Sequence, residues 1–311
     1  MRRRHPLARQ AIGALAAALA ATLLVSVLLD LVPGDPVELL LGEQAQPIDR
    51  AALRKAMWLD LPLPVQAFRF LRGFATGDLR SSVPPFQQRI WPRLREVAPR
   101  TALLACVAML FAVGLGVPLG VFSAVRAGAA IDRLSLAVSV LGVSAPSFLL
   151  GQLLLWIFGI RLRWLPVSGD DRMLSALLPA LTLGLGLSAL LSRVTRAAML
   201  EALRQDYVLA ARARGLSEAR VIWRHAFRNA LLPVLTIAGL QFGSVLTGSI
   251  VVEKVFAWPG LGTLLVDSID KRDFNAVRAC VLVFTLTYLA VNLLTDLAYA
   301  WADPRARGGG A

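Results

Sequence analysis

The chain has 311 residues, a hydrophobic fraction of 57%, a mean hydropathy of +0.64 and a net charge of +13. A soluble domain of this length needs far less apolar sequence, and several uncharged runs reach the roughly 18 to 20 residues that cross a bilayer as a helix, so an all-α polytopic membrane protein is expected. Only three of the 33 basic residues are lysine (Lys55, Lys254, Lys271), and the arginines flank membrane-length runs, which assigns the charge to lipid headgroups and topology rather than to nucleic acid.

Residues 1–9 hold four arginines, and residues 11–29 form a continuous apolar run. Five more such runs follow and no small-residue cleavage site precedes the next polar stretch, so a retained first span with a cytoplasmic N-terminus is predicted rather than a signal peptide. Asp30 and Pro33-Gly34-Asp35-Pro36 end it on the far side. From residue 37 to 99 the chain is mixed in charge and too long for a tight connection, which predicts a small extracytoplasmic subdomain; residues 1–98 group it with the first span. Here Asp49 is placed to cap a short helix through Arg54 and Lys55. Residues 65–74, with Phe68, Leu71 and Phe74 beside Arg69 and Arg72, have the pattern of a helix lying at an interface.

Residues 99–302 are read as a five-helix core. A second span, 101–125, is broken by Gly114, Gly116, Pro118 and Gly120, and Arg126 and Arg133 bracket a cytoplasmic turn. The third, 134–160, contains Ser144-Ala145-Pro146-Ser147, where proline removes a backbone hydrogen bond. The fourth is 173–191, kinked at Pro179; the fifth is 234–252; residues 253–262 turn on the outer side; the sixth is 279–295, before a cytoplasmic tail at 303–311. Six transmembrane helices with both termini cytoplasmic is the predicted topology. Ser144, Pro146, Gln152, Gln241, Ser244 and Thr247 are the candidate pathway-lining residues, and Glu253 and Lys254 suit capping and interfacial anchoring.

Catalytic and metal chemistry is poorly provided for. No Gly-Lys dipeptide exists, so a phosphate-binding P-loop is excluded. His5 and His225 are isolated, and Cys106 and Cys280 lack metal or redox spacing and are expected as small buried side chains. No span centre carries a charged pair, which argues against the alternative of an ion-coupled secondary transporter. The energy source is expected on another chain.

The longest polar interruption of the second half, 199–233 within a loop spanning 193–232, has eight arginines against three acids from Arg193 to Arg228, which places it inside. Leu200, Leu203, Tyr207 and Ala211 recur at helical spacing and predict one amphipathic helix. Gly215 stops it, Ser217 and Glu218 cap a second helix, and Arg220, Arg224 and Arg228 share a face of that helix.

These residues resemble the permease subunits of binding-protein-dependent ATP-binding-cassette importers of the dipeptide, oligopeptide and nickel branch. The landmarks run over nearly the whole chain: LVPGDP (31–36), LPLPVQ (61–66), GDL (77–79), GVPLGV (116–121), RWLPVSG (163–169), LLPALTLGL (177–185), QDYVLAARARGLS (205–217), RHAFRNALLPV (224–234) and VVEKVFAWPGLG (251–262). The resemblance implies a type I importer permease fold in the inner membrane and a non-catalytic chain. It also implies a coupling helix in the cytoplasmic loop, carried here by Asp206, Tyr207, Ala210, Ala211 and Gly215. Leu209 stands where the family's motif has glutamate. Implied partners are a second related permease, two P-loop ATPases that bind ATP and Mg, an extracytoplasmic solute-binding protein and membrane lipid. The implied solute is a peptide, with nickel or another small solute as the alternative.

Overall fold

In hydrocarbon a backbone's own N–H and C=O groups are its only partners, so apolar runs must close their hydrogen bonds within helices. All six runs do so. The computed structural model describes residues 5–30, 36–41, 46–83, 88–167 and 174–302. The helices are α1 (His5–Asp30), α2 (Pro36–Leu41), α3 (Pro47–Ala56), α4 (Leu63–Thr76), α5 (Ile90–Val125), α6 (Ala130–Ser144), α7 (Ser147–Leu154), α8 (Leu174–Leu203), α9 (Asp206–Ala213), α10 (Glu218–Arg220), α11 (Phe227–Val255), α12 (Leu261–Asp270) and α13 (Phe274–Ala302). A π-helical turn, Leu155–Arg161, prolongs α7, and another, Val221–Ala226, joins α10 to α11. Among the described residues no strand forms beyond an isolated bridge between Arg80 and Arg89.

Four helical stretches are long and apolar enough to cross a membrane: 90–125, 174–203, 218–255 and 274–295. Counting α6 and α7 as one bent span gives five, and the described part of α1 adds a shorter apolar stretch at Ala16–Val27. The LVPGDP landmark lies outside the described residues except for Pro36, as do the end of RWLPVSG and the tail at 303–311.

Two compact units emerge, Met1–Thr101 with Pro259–Leu289, and Ala102–Trp258 with Ala290–Ala311. In the first, Phe70, Leu79, Ile90, Leu94, Leu261 and Cys280 form a buried core with Ala18 of α1, while Val37, Leu53, Met57 and Phe274 make a smaller one. The expected interfacial face of α4 is corrected: Phe70 is fully buried and Phe74 packs on the core, leaving Phe68 exposed. Asp49 does not cap α3. It lies in the first turn, behind Gln46 at the N-cap, where its charge favours the helix dipole.

A polar knot closes this unit. The Asp273 carboxylate accepts hydrogen bonds from Ser81 Oγ (2.6 Å), Ser82 N (3.0 Å), Ser82 Oγ (2.9 Å) and Ala276 N (3.2 Å), the last being the third amide of α13. Asp273 therefore caps α13 and ties the chain at 81–82 to it. Replacing Asp273 by alanine leaves buried donors unmet, each charge-assisted bond contributing about 1.5–3 kcal/mol. The expected result is a melting temperature several degrees lower in detergent, with Asp273→Asn, which keeps an acceptor oxygen, losing less.

In the second unit four sequence expectations are corrected. Residues 101–125 are not broken: α5 runs unbroken for 36 residues, and its glycines serve packing instead. An added Cβ at Gly116 would lie 2.6 Å from the Ser188 carbonyl oxygen, and at Gly120 2.5 Å from that of Ser192. Glycines four apart thus let α5 and α8 touch backbone to backbone. The third run is not one straight helix. Ala145 is extended ahead of Pro146, and α6 and α7 bend apart by more than 40°, because proline disfavours helical backbone in the residue before it. Of the two cysteines, Cys280 is buried as expected but Cys106 is exposed on α5. Glu253 is also buried, not interfacial, while Lys254 is exposed.

Candidate functional site

Two features of the second unit converge on function: the helical loop around α9 and a cavity beside the break at Ser144–Pro146. The single amphipathic helix expected over the start of this loop is two helices. α8 ends at Leu203, Gln205 is extended, and α9 starts at Asp206. The apolar spacing carries across the break because both pieces press on one core, in which Met199, Ala202, Val208, Ala211, Val221 and Ala226 are buried.

α9 ends in a Schellman motif. Gly215 N–H donates to the Arg212 carbonyl (2.9 Å) and Leu216 N–H to the Ala211 carbonyl (3.4 Å), with Gly215 left-handed at φ +75°. Ser217 occupies the N-cap of α10 through its backbone, but its hydroxyl makes no cap bond; Glu218 instead pairs with Arg212 through two bonds of 2.8 and 3.2 Å. This exposed pair straps the turn at small energetic gain. Arg220, Arg224 and Arg228 are all exposed, although the π turn between them departs from the α-helical spacing expected.

Of the five predicted loop residues, Ala211 anchors α9 in the core, while Asp206, Tyr207, Ala210 and Gly215 are exposed. Leu209, at 55% exposure, marked from the sequence only as a departure from the family's motif, and Trp223, at 46%, not singled out there, add apolar surface to this helical loop. Trp223 is held edge-on by Phe227 at 5.3 Å. A short helix rooted by Val208 and Ala211 and presenting Tyr207, Leu209 and Ala210 outward is a surface built to be covered. On either side a short turn, 204–205 before it and 214–217 after it, joins it to membrane-length helices, α8 and 218–255.

The cavity, of about 180 Å³, is lined by Ala145, Ser147 and Leu150 at the break, Thr182, Leu183, Gly186 and Leu187 of α8, and Ser244, Val245 and Gly248 of α11. Of the predicted pathway residues only Ser244 lines it. Ser144, Pro146, Gln152, Gln241 and Thr247 do not. Ser147 and Thr182 supply its other hydroxyls, and Thr182 Oγ1 already donates to the Leu178 carbonyl at 2.8 Å, leaving its lone pairs as acceptors. Among the described residues no group of three or more His, Cys, Asp or Glu side chains is arranged to hold a metal ion.

Comparison with known proteins bears on both features. Residues 116–308 match the family model of the binding-protein-dependent transport system inner membrane component, and residues 4–88 match the N-terminal model of such membrane components. The glutathione transport system permease protein GsiC of Pectobacterium atrosepticum is 42% identical over 302 residues, covering 96% of this chain and 97% of the relative. GsiC of Escherichia coli K12 is 40% identical over 289 residues, covering 92% and 93%. An inward-facing crystal form of the MetNI methionine ABC transporter shares the fold with a TM-score of 0.59 at 17% identity, covering 68% of this chain and 96% of that one. The chain therefore belongs to the binding-protein-dependent transport system inner membrane components, and is a multi-pass, non-catalytic permease subunit of an ABC importer that works with a partner permease, ATPases and a binding protein.

Proposed function

We propose that the chain forms half of the translocation pathway for short peptides, and that α9 is the coupling helix by which ATP closure on two partner ATPases drives it. In this reading α9 faces the cytoplasm, ATP and Mg stay on the ATPases, and an extracytoplasmic binding protein delivers the solute. The observation that carries it is the build of α9: rooted on one side by Val208 and Ala211, exposing Tyr207, Leu209 and Ala210 on the other, ended by a left-handed glycine, and joined by short turns to membrane-length helices. A partner's motion at that surface is passed on by packed helices, which respond as units.

Peptide as the solute rests on the relatives named for glutathione, itself a tripeptide. The cavity is smaller than the roughly 300–1,000 Å³ of sites that enclose a small-molecule ligand, so it accommodates one substituent, and the second permease supplies the remaining wall. Reconstitution of the full complex in proteoliposomes tests the reading: labelled glutathione or other short peptides accumulate only with ATP and binding protein. Accumulation by the chain alone under an ion gradient refutes the importer mechanism, and ATP-driven uptake of nickel without peptide refutes the solute class.

A further inference from the structure

One buried charge cluster lies outside both features described above. The Asp132 carboxylate, 2% exposed, accepts Arg196 Nε (2.6 Å) and Nη2 (2.8 Å), the Gly128 backbone N–H (2.8 Å) and the Ser123 hydroxyl. The donors come from the end of α5, the turn after it and α8, while Asp132 itself is in the first turn of α6. One side chain thus fastens three segments.

A buried ion pair is weak evidence for stability, since an apolar pair of similar volume joins helices at least as well. What the planar guanidinium fork adds is fixed orientation. Position in the chain says where that orientation matters. Arg196 lies about two turns before α8 ends, and α9 follows after two residues. Asp132 lies 12 residues before Ser144, at the other end of α6 from the break that lines the cavity. α5 already meets α8 closely at Gly116 and Gly120, and α6 lies against Ala189 of α8 at Gly142; the pair fixes the opposite end of α6 to the same body.

We propose that the Asp132–Arg196 pair is a positioning clasp that makes α6 move with α8, carrying displacement of α9 to the break at Ser144–Pro146. This rests on the coupling role of α9 given above. Neither residue touches solute or nucleotide; both act through the helices they hold.

The test uses the complete complex in proteoliposomes, with ATP hydrolysis and solute uptake measured on the same sample. Asp132→Asn lowers solute carried per ATP by about tenfold, the size of a typical coupling between sites, while hydrolysis continues. Arg196→Lys, which keeps charge but loses the fork, falls in between. The double variant Asp132→Leu/Arg196→Met assembles in normal amounts and remains uncoupled. Equal loss of uptake and hydrolysis, full uptake by the apolar double variant, or failure of every variant to assemble would each overturn the proposal. Gly215→Val separates this from the reading beneath it: normal uptake in that variant removes the coupling role of α9 itself, whereas its loss beside normal uptake in Asp132→Asn removes only the clasp.

Discussion

Gly215→Val abolishes ATP-driven uptake while the permease still inserts and assembles. An added Cβ at Gly215 meets nothing within 4 Å, so the substitution makes no clash inside the chain. It acts on the backbone. At φ +75° an L-residue is strained by about 1–2 kcal/mol, and a β-branched one more so, which is enough to undo the Schellman turn and re-aim α9 without unfolding the spans. Gly215 is also exposed, as are Ala210 and Tyr207, so the added side chain stands on the loop's surface. Gly215→Asn is the matched control, because asparagine tolerates the left-handed region; it retains a substantial part of the uptake. Transport assays paired with surface-labelled protein amounts read both, and normal uptake by the valine variant would refute the coupling role.

Gly120→Leu gives the largest loss of folded protein. Its Cβ would sit 2.5 Å from the Ser192 carbonyl oxygen and 2.6 Å from Thr195 Cβ. The obstacles are a main-chain oxygen and the branched Cβ of Thr195, neither of which can turn aside, so α5 and α8 must separate, and overpacking of this kind destabilises by about 1–3 kcal/mol or more. The parting also strains the Ser123 end of the Asp132 cluster, one turn further along α5. Gly114→Leu is the internal control on the same helix: its Cβ meets nothing within 4 Å, and leucine is the better helix former by most of 1 kcal/mol. Monodisperse protein after detergent extraction should therefore collapse for position 120 and hold for position 114. Equal behaviour of the two would show that the close approach of α5 and α8 is not needed.

The contrast between these two glycines shows how far the sequence is legible. Run lengths announce membrane helices because hydrocarbon leaves no other backbone solution, and Gly215 announces a stop because few residues adopt its conformation. Which face of a span is buried is another matter. With apolar residues all round, Cys106 and Cys280 look alike, and only packing exposes one and buries the other. Gly114 and Gly120 look alike for the same reason. The break between α8 and α9 is hidden because the apolar spacing of Leu200, Leu203, Tyr207 and Ala211 runs through it while the backbone at Gln205 does not. The Asp132–Arg196 pair spans 64 residues and has no local signature.

α8 is a single helix of 30 residues, about 45 Å end to end. Were it to swing about one tip by about five degrees, the opposite tip would sweep an arc of roughly 4 Å, most of one helical pitch. In the proposed mechanism a modest tilt at the α9 end of this helix would thus be magnified into a displacement of several ångströms at its far tip.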